Sequence, residues 1–189
     1  MATSGGALIL AAGVSRRFGS DKRRHRLENG STMLITTVSV YRQVFDRVVV
    51  VLRHEDDIEA DVRARFADVG CVHAPLAHLG MGHSLAAGVD SVADWDYAFV
   101  ALADMPNIHP DTLRLLRREI EAATDAAIIQ PQYGGRAGHP VVFHRRFFFE
   151  LSALSGDRGA REVLERHSDV LRRVATDDPG VIEDFDTPG

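Results

Sequence analysis

The sequence LILAAGVSRRFGSDK, residues 8–22, changes character abruptly at Gly13. The residues before Gly13 are apolar and typical of a buried strand, whereas those after it include two arginines, a second glycine and Lys22. Small residues let the backbone approach a ligand closely, and the basic side chains place positive charge beside it. We therefore expect a strand followed by a phosphate-binding loop, although the pattern alone also fits a tight turn with solvated arginines.

Outward from this stretch, apolar segments of strand type alternate with amphipathic segments. Strands are predicted at residues 7–11, 47–52, 70–73, 97–102, 126–130 and 170–174, and helices at 32–45, 56–67, 80–92, from 110 onward, 145–151 and 159–167. A glycine-rich loop at 134–138 leads into an apolar segment at 140–143. The alternation predicts an α/β fold of Rossmann-like type, with a mostly parallel twisted sheet and helices on both faces. We expect a single domain over residues 1–189.

The composition excludes several classes of function. The net charge of −5 gives no basic field for nucleic acid, so no nucleic-acid partner is expected. Cys71 is the only cysteine, which excludes an internal disulfide and a cysteine-cluster metal site. The sequence shows no apolar run of membrane-spanning length and no signal peptide at its start, so we expect a cytoplasmic protein without a membrane partner.

Asp104 follows directly after the apolar segment YAFVAL, residues 97–102. Ligands of open α/β sheets bind at the carboxyl ends of the strands, and a carboxylate placed there can hold Mg²⁺ against phosphate oxygens. An aspartate that caps the next turn is the equally weighted alternative. The first loop matches neither the P-loop nor the dinucleotide fingerprint, which argues against a P-loop NTPase and a nicotinamide dehydrogenase.

Six motifs occur in a fixed order along nearly the whole chain. They are LAAGVSRRFGSDK at 10–22, GMGHSL at 80–85, LADMP at 102–106, GHP at 138–140, GDRGAR at 156–161 and DFDTP at 184–188. In this order they resemble the MobA-like and MocA-like NTP transferases, and the match is nearest in motif to molybdenum cofactor cytidylyltransferase.

The resemblance implies a Mg²⁺-dependent transfer of CMP from CTP to a phosphate of a molybdopterin-type cofactor, with release of pyrophosphate. Mn²⁺ is the alternative ion. The implied partners are CTP or another NTP, a pterin-type or other phosphorylated acceptor, and a recipient molybdoenzyme. Such a reaction depends mainly on positioning and on stabilising negative charge, which fits a site rich in cations.

The resemblance also implies roles for residues at matching motif positions. The catalytic candidates are Arg17, Lys22 and Asp104. The nucleotide-binding candidates are Leu10, Ala11, Ala12, Gly13, Gly82 and Ser84. The acceptor-binding candidates are His139, Arg158 and Arg161. The metal-binding candidates are Asp104 and, as a second carboxylate, Asp186.

Two positions bear on the choice of substrate. In the relatives, LAAG accompanies cytosine and LAGG accompanies guanine, so Ala12 favours CTP. After Lys22 the family usually continues with apolar residues, whereas this chain has RRHR at residues 23–26. This run either binds a more anionic acceptor or forms a solvated loop.

Three alternatives to the cytidylyltransferase hypothesis stay open at this point. The chain could be a guanylyltransferase that uses GTP on the same cofactor, or a nucleotidyltransferase for another small phosphate such as a sugar phosphate. It could also be a module that carries or inserts the cofactor into a molybdoenzyme without catalysis.

Overall fold

A computed structural model describes residues 4–13, 21–123 and 127–185. The strands are β1 (Gly5–Leu10), β2 (Val48–Arg53), β3 (Gly70–Ala74), β4 (Tyr97–Leu102), β5 (Ile128–Tyr133), β6 (Arg136–Ala137), β7 (Val141–His144) and β8 (Leu171–Ala175). The helices are α1 (Met33–Arg42), α2 (Ile58–Arg65), α3 (Met81–Asp90), α4 (Pro110–Ala122), α5 (Phe148–Ser152) and α6 (Arg161–Arg166). Short 3₁₀ turns form at Lys22–Arg24, Ala77–Leu79, Arg145–Phe147 and Pro179–Val181.

These strands form one sheet in the order β3-β2-β1-β4-β7-β5-β6, and β8 also pairs with β5. β1, β2, β3 and β4 are mutually parallel, as are β5 and β8. β7 is antiparallel to both of its neighbours, and β5 and β6 form a hairpin. The predicted α/β class with a mostly parallel sheet is confirmed.

The sheet is buried on both faces because side chains of successive strand residues point to opposite sides. From β1, Ile9 packs into a core with residues of α1, α2 and α4. Its neighbour Leu8 packs into a second core with residues of α3, α5 and α6. The expected helices on both faces are therefore present, and the buried central strands explain the continuous apolar runs of the sequence.

The structure adjusts several predicted boundaries. The segment predicted as a helix at 145–151 divides into a 3₁₀ turn and the short α5, and the apolar segment at 140–143 becomes the antiparallel strand β7. α4 begins at Pro110, where a missing N–H is tolerated. Within the described ranges, none of the helices is both long and apolar enough to cross a membrane.

Candidate active site

The candidate site lies where β1 and β4 end side by side. Leu10 pairs with Leu102 in the register of the two parallel strands. Just beyond them, the amide of Ala103 donates a hydrogen bond to the carbonyl of Leu10 over 3.1 Å. The first loop and the segment that carries Asp104 consequently start from the same edge of the sheet, as the strand assignments imply.

Lys22 and Asp104 form an ion pair across this edge. About one fifth of each side chain is exposed, 21% for Lys22 and 18% for Asp104. The backbone around Asp104 is anchored, because its carbonyl accepts a hydrogen bond from the Phe185 amide and the Ala103 carbonyl accepts one from the Thr37 hydroxyl. The structure thus brings two of the predicted catalytic residues together on a rigid support.

The donor set suits a divalent metal that is shared with a nucleotide. Mg²⁺ in nucleotide sites is held by one or two carboxylates, and substrate phosphates and water complete the coordination. Asp104 offers one carboxylate, and Asp184 is a second that acts electrostatically on the same neighbour, His139. No cluster of three or more metal-ligating side chains occurs in the described part of the chain. The residues therefore fit a metal that arrives with triphosphate rather than one held in an all-protein cage.

His139 reaches the same edge from β7. Because β7 runs antiparallel to β4 and Val141 pairs with Val100, His139 lies at the level where β4 ends. Burial lowers the pKa of His139, while the negative charges of Asp104 and Asp184 oppose that shift. The Nδ1 atom is buried and has no hydrogen-bond partner among the described residues. A neutral imidazole with an unused nitrogen is thus placed beside the carboxylates.

The position of His139 is fixed by the C-terminal segment. Its amide donates a hydrogen bond of 2.7 Å to the carbonyl of Val181. A Cβ atom at Gly138 would lie 2.4 Å from that same carbonyl oxygen, so only glycine fits there. The peptide bond between His139 and Pro140 is cis.

A cleft of about 170 Å³ opens beside these residues, between the sheet, α3 and α6. Its polar lining consists of Gln130, His139, Arg158 and Arg161. Its apolar lining consists of Leu10, Met81, Leu85, Val100, Leu102, Val141, Ala160 and Leu164. All three predicted acceptor residues therefore line one cleft, next to the predicted nucleotide residue Leu10. Gln130 is a lining residue that the sequence did not single out.

The second and fifth motifs pack against each other at the rim of this cleft. The Gly82 amide donates a 2.8 Å hydrogen bond to the Gly156 carbonyl. A Cβ at Gly82 would lie 2.6 Å from the Ser155 carbonyl oxygen, so close backbone packing explains this glycine. Ser84 is buried in the first turn of α3. Contacts of Gly82 and Ser84 with a nucleotide stay predictions.

Arg158 and Arg161 share Glu165 as a partner, at 2.6 Å and 3.0 Å. All three side chains are more than half exposed. Exposed ion pairs of this kind are weak and exchange readily, so both guanidinium groups can turn to an anionic ligand.

Comparisons with known proteins show which family this chain belongs to. Residues 7–170 match the family model described as the MobA-like NTP transferase domain. The chain belongs to this family.

Individual relatives of the MobA-like chain cover most of its length. The purine catabolism protein PucB of Bacillus subtilis (strain 168) is 28% identical over 196 residues, which cover 96% of this chain and 91% of PucB. The probable molybdenum cofactor guanylyltransferase of Mycobacterium ulcerans (strain Agy99) is 30% identical over 181 residues, covering 93% of this chain and 86% of the relative.

A solved structure gives a similar result. The crystal structure of Rv0371c from Mycobacterium tuberculosis H37Rv is 30% identical with a TM-score of 0.80, covering 99% of this chain and 94% of that one. A crystal structure of the same protein in complex with manganese is 28% identical with a TM-score of 0.72, covering 92% of this chain and 89% of that one.

Within the run at residues 23–26, the structure corrects the interpretation of Arg23. Arg23 is 3% exposed and is bound by Asp21 and Asp56, so it neither awaits an acceptor nor is solvated. Arg24 forms ion pairs with Asp57 and Asp61 at 2.7 Å each. Arg26 donates to the carbonyl of Gly30.

Two predicted site residues, Arg17 and Asp186, lie outside the described residues. Besides Gln130, the sequence reasoning missed Asp21, Asp56 and Asp184 in the described part of the chain. Asp184 stands in the quoted DFDTP motif, which is the signal that could have found it. Asp21 and Asp56 contact an arginine whose burial no local pattern indicates.

Proposed function

We propose that this MobA-like nucleotidyltransferase transfers CMP from CTP to a phosphate of a molybdopterin-type acceptor and releases pyrophosphate. The observation that carries the proposal is the Lys22–Asp104 pair at the sheet edge where β1 and β4 end with Leu10 and Leu102. Both leucines line the cleft that also contains His139, Arg158 and Arg161. This arrangement offers a cation for a triphosphate, a carboxylate for a metal and separate cations for an acceptor.

The transfer would be a substitution at the α-phosphorus of the nucleotide. An oxygen of the acceptor phosphate forms the new bond to phosphorus, and the bond from phosphorus to the bridging oxygen of pyrophosphate breaks. Pyrophosphate leaves with the electron pair of that bond. Lys22, and Arg17 beyond the described residues, would neutralise charge on the triphosphate and on the leaving group, which is how such transfers are accelerated.

We assign Mg²⁺ as the metal, with Mn²⁺ as the alternative, and Asp104 as its principal ligand. When bound, the ion would neutralise triphosphate oxygens and help to align them. Asp186 is the proposed second ligand. The manganese complex of Rv0371c supports a divalent-metal site in this family.

The cleft supports a flat heterocyclic acceptor that carries a phosphate. Its apolar walls can cover ring faces, while the polar side chains of Gln130 and His139 would contact ring substituents. Arg158 and Arg161 would leave Glu165 to bind the acceptor phosphate. A sugar phosphate loses part of its support, because Arg23 and Arg24 are paired with aspartates of the protein.

The choice of base rests on Ala12, which is almost completely buried. A methyl group at this position reduces the room for a purine and so favours CTP. GTP is the second candidate, since the relative from Mycobacterium ulcerans is named as a guanylyltransferase. A recipient molybdoenzyme that accepts the product is part of the same proposal.

The test is pyrophosphate release in a matrix of nucleotides and acceptors, with and without Mg²⁺ or Mn²⁺. We expect release that requires metal, CTP and molybdopterin together, and its loss in Lys22→Met. Arg24→Met is the matched control, because it removes a neighbouring cation that lies outside the site. A clear preference for GTP would overturn the base assignment. Tight binding of the cofactor with no release from any nucleotide would favour the carrier alternative.

A further inference from the structure

Four alternating charges form a closed network next to Ala11, the residue that follows β1. Arg23 donates through Nε to Asp21 over 2.8 Å and through Nη2 to Asp56 over 3.1 Å. Arg53 donates to Asp21 over 2.8 Å, and its amide donates to Asp56 over 3.2 Å. We call these four residues the Arg23 clamp. Its two positive and two negative charges cancel, so the group can be buried without a net charge.

The clamp also holds the backbone of the first loop. Nη1 of Arg23 donates a hydrogen bond of 2.9 Å to the carbonyl oxygen of Ala11. On its other side, the Ala11 amide donates to the carbonyl of Val51 over 2.9 Å. Both polar groups of the Ala11 backbone are therefore held by contacts within the protein, and the hydrogen bond from Arg23 orients the peptide plane that follows Ala11.

This orientation determines the direction of the next donor. The peptide between Ala11 and Ala12 is planar and trans, because the cis bond of the described chain is at Pro140. In a trans peptide the C=O and N–H groups point in opposite directions. Since the Ala11 carbonyl points to Arg23, the Ala12 N–H points away from the clamp.

We propose that Arg23 is a positioning residue that presents the Ala12 N–H to the base of the bound nucleotide. This inference rests on the proposed function only for the ligand, a nucleoside triphosphate whose base lies against residues 10–13. A base that offers a ring nitrogen or carbonyl oxygen to this N–H is bound by it. If the peptide plane between Ala11 and Ala12 rotates, the Ala11 carbonyl takes the place of the Ala12 N–H. The base then faces a hydrogen-bond acceptor and loses the donor. Arg23 thereby contributes to nucleotide affinity and to base preference without touching the nucleotide.

The contacts of Arg23 distinguish its positioning role from simple structural support. Asp56 is also held by the amide of Arg53, so the loop before α2 has an anchor besides Arg23. The contact to Ala11 comes only from the guanidinium, within the described residues. Methionine at position 23 would keep much of the volume and lose that contact. Asparagine at position 56 would remove the negative charge that is left uncompensated when Arg23 is replaced. Its side-chain oxygen could still accept a hydrogen bond from the Arg53 amide.

The experiment measures dissociation constants for CTP and GTP by titration calorimetry in the presence of Mn²⁺. The proteins are the wild type, the charge-balanced double variant Arg23→Met/Asp56→Asn, and Arg24→Met as the matched control. Far-UV circular dichroism and thermal melting establish that each protein is folded at the titration temperature.

We expect the double variant to bind CTP roughly tenfold more weakly, the size of one lost or misdirected hydrogen bond. Its ratio of CTP to GTP affinity should move toward one, a change that a general loss of stability would not produce. Arg24→Met should match the wild type in its affinity for CTP and in its ratio of CTP to GTP affinity. A folded double variant with wild-type affinity and wild-type base ratio would overturn the inference while the proposed function stands. A wild type that binds no nucleotide would instead contradict the proposed function, and the inference with it.

Discussion

Lys22 and Arg23 are neighbours in the sequence, and each is bound to an aspartate from another part of the fold. The Lys22–Asp104 pair is about one fifth exposed, whereas the side chains of Arg23 and Asp56 are 4% and 2% exposed. Water can solvate either partner of the first pair when they separate. Separation of the second pair would leave two charges inside the protein. The two adjacent cations thus have different roles: Lys22 belongs to an exchangeable ion pair, and Arg23 belongs to a fixed one.

The difference follows from where each partner is attached. Asp104 lies at the edge where β1 and β4 end, and its side chain is 18% exposed. Asp56 lies before α2, and Arg23 contacts both Asp56 and the carbonyl of Ala11. An exchangeable pair suits binding of a triphosphate and its metal, since Lys22 can turn to phosphate while Asp104 turns to the cation. A fixed pair suits support of the loop backbone.

Asp104→Asn should cause the largest effect, on turnover. We expect a loss of about 10³-fold in kcat, because a neutral amide cannot bind the metal with the strength of a carboxylate. The free energy of unfolding should change by less than about 1 kcal/mol, the range of partly exposed ion pairs. Steady-state pyrophosphate release and urea denaturation measure the two quantities. Normal turnover in Asp104→Asn would refute the exchangeable role of this pair.

Arg23→Met should show the opposite profile. We expect about 3 kcal/mol of destabilisation, because removing Arg23 leaves the carboxylates of Asp21 and Asp56 with Arg53 as their one cation in the clamp. Adding Asp56→Asn should restore much of the loss. Urea denaturation of the single and double variants measures this. Equal stabilities of Arg23→Met and the wild type would show that the clamp is not a fixed structural element.

Nucleotide binding should stabilise the wild type and not Lys22→Met. At a nucleotide concentration of about 100 times the dissociation constant, binding to the folded state adds about 2.7 kcal/mol. Without Lys22 the triphosphate loses a cation, so the same concentration should give a much smaller shift in melting temperature. Thermal melting with and without CTP and Mn²⁺ measures the shift. An undiminished shift in Lys22→Met would mean that Lys22 does not bind the triphosphate.

Arg24→Met should cause the smallest effect. The Arg24 side chain is 39% exposed, and its aspartate partners lie at the surface of α2 and before it. We expect a change of less than about 0.5 kcal/mol in unfolding free energy, with unchanged turnover. High salt should reduce even this difference. A loss of turnover in this variant would contradict the claim that Arg24 lies outside the site.

The sequence predicted the parts of this molecule that depend on short-range pattern. The buried strands are continuous apolar runs, so β1 and β4 could be placed, and Asp104 with them. The motifs grouped His139, Arg158 and Arg161 as acceptor residues, and all three line one cleft. Their roles toward an acceptor stay predictions, as do those of Arg17 and Asp186.

The burial of Arg23 could not be predicted, because it depends on Asp56, which is 33 residues away. A run of four basic residues usually lies in solvent, and Asp21, Arg53 and Asp56 show no pattern that links them. The antiparallel insertion of β7 was missed for a similar reason. Strand direction depends on the partner strands, which local sequence does not specify. That insertion places His139 at the same edge as Asp104.

The most direct test of the central claim is mass spectrometry of the acceptor after incubation with protein, CTP and Mg²⁺. The account predicts molybdopterin that has gained one CMP unit with the wild type and with Arg24→Met, and unmodified molybdopterin with Asp104→Asn. Unmodified acceptor with the wild type in the presence of each of the four common nucleoside triphosphates would contradict it.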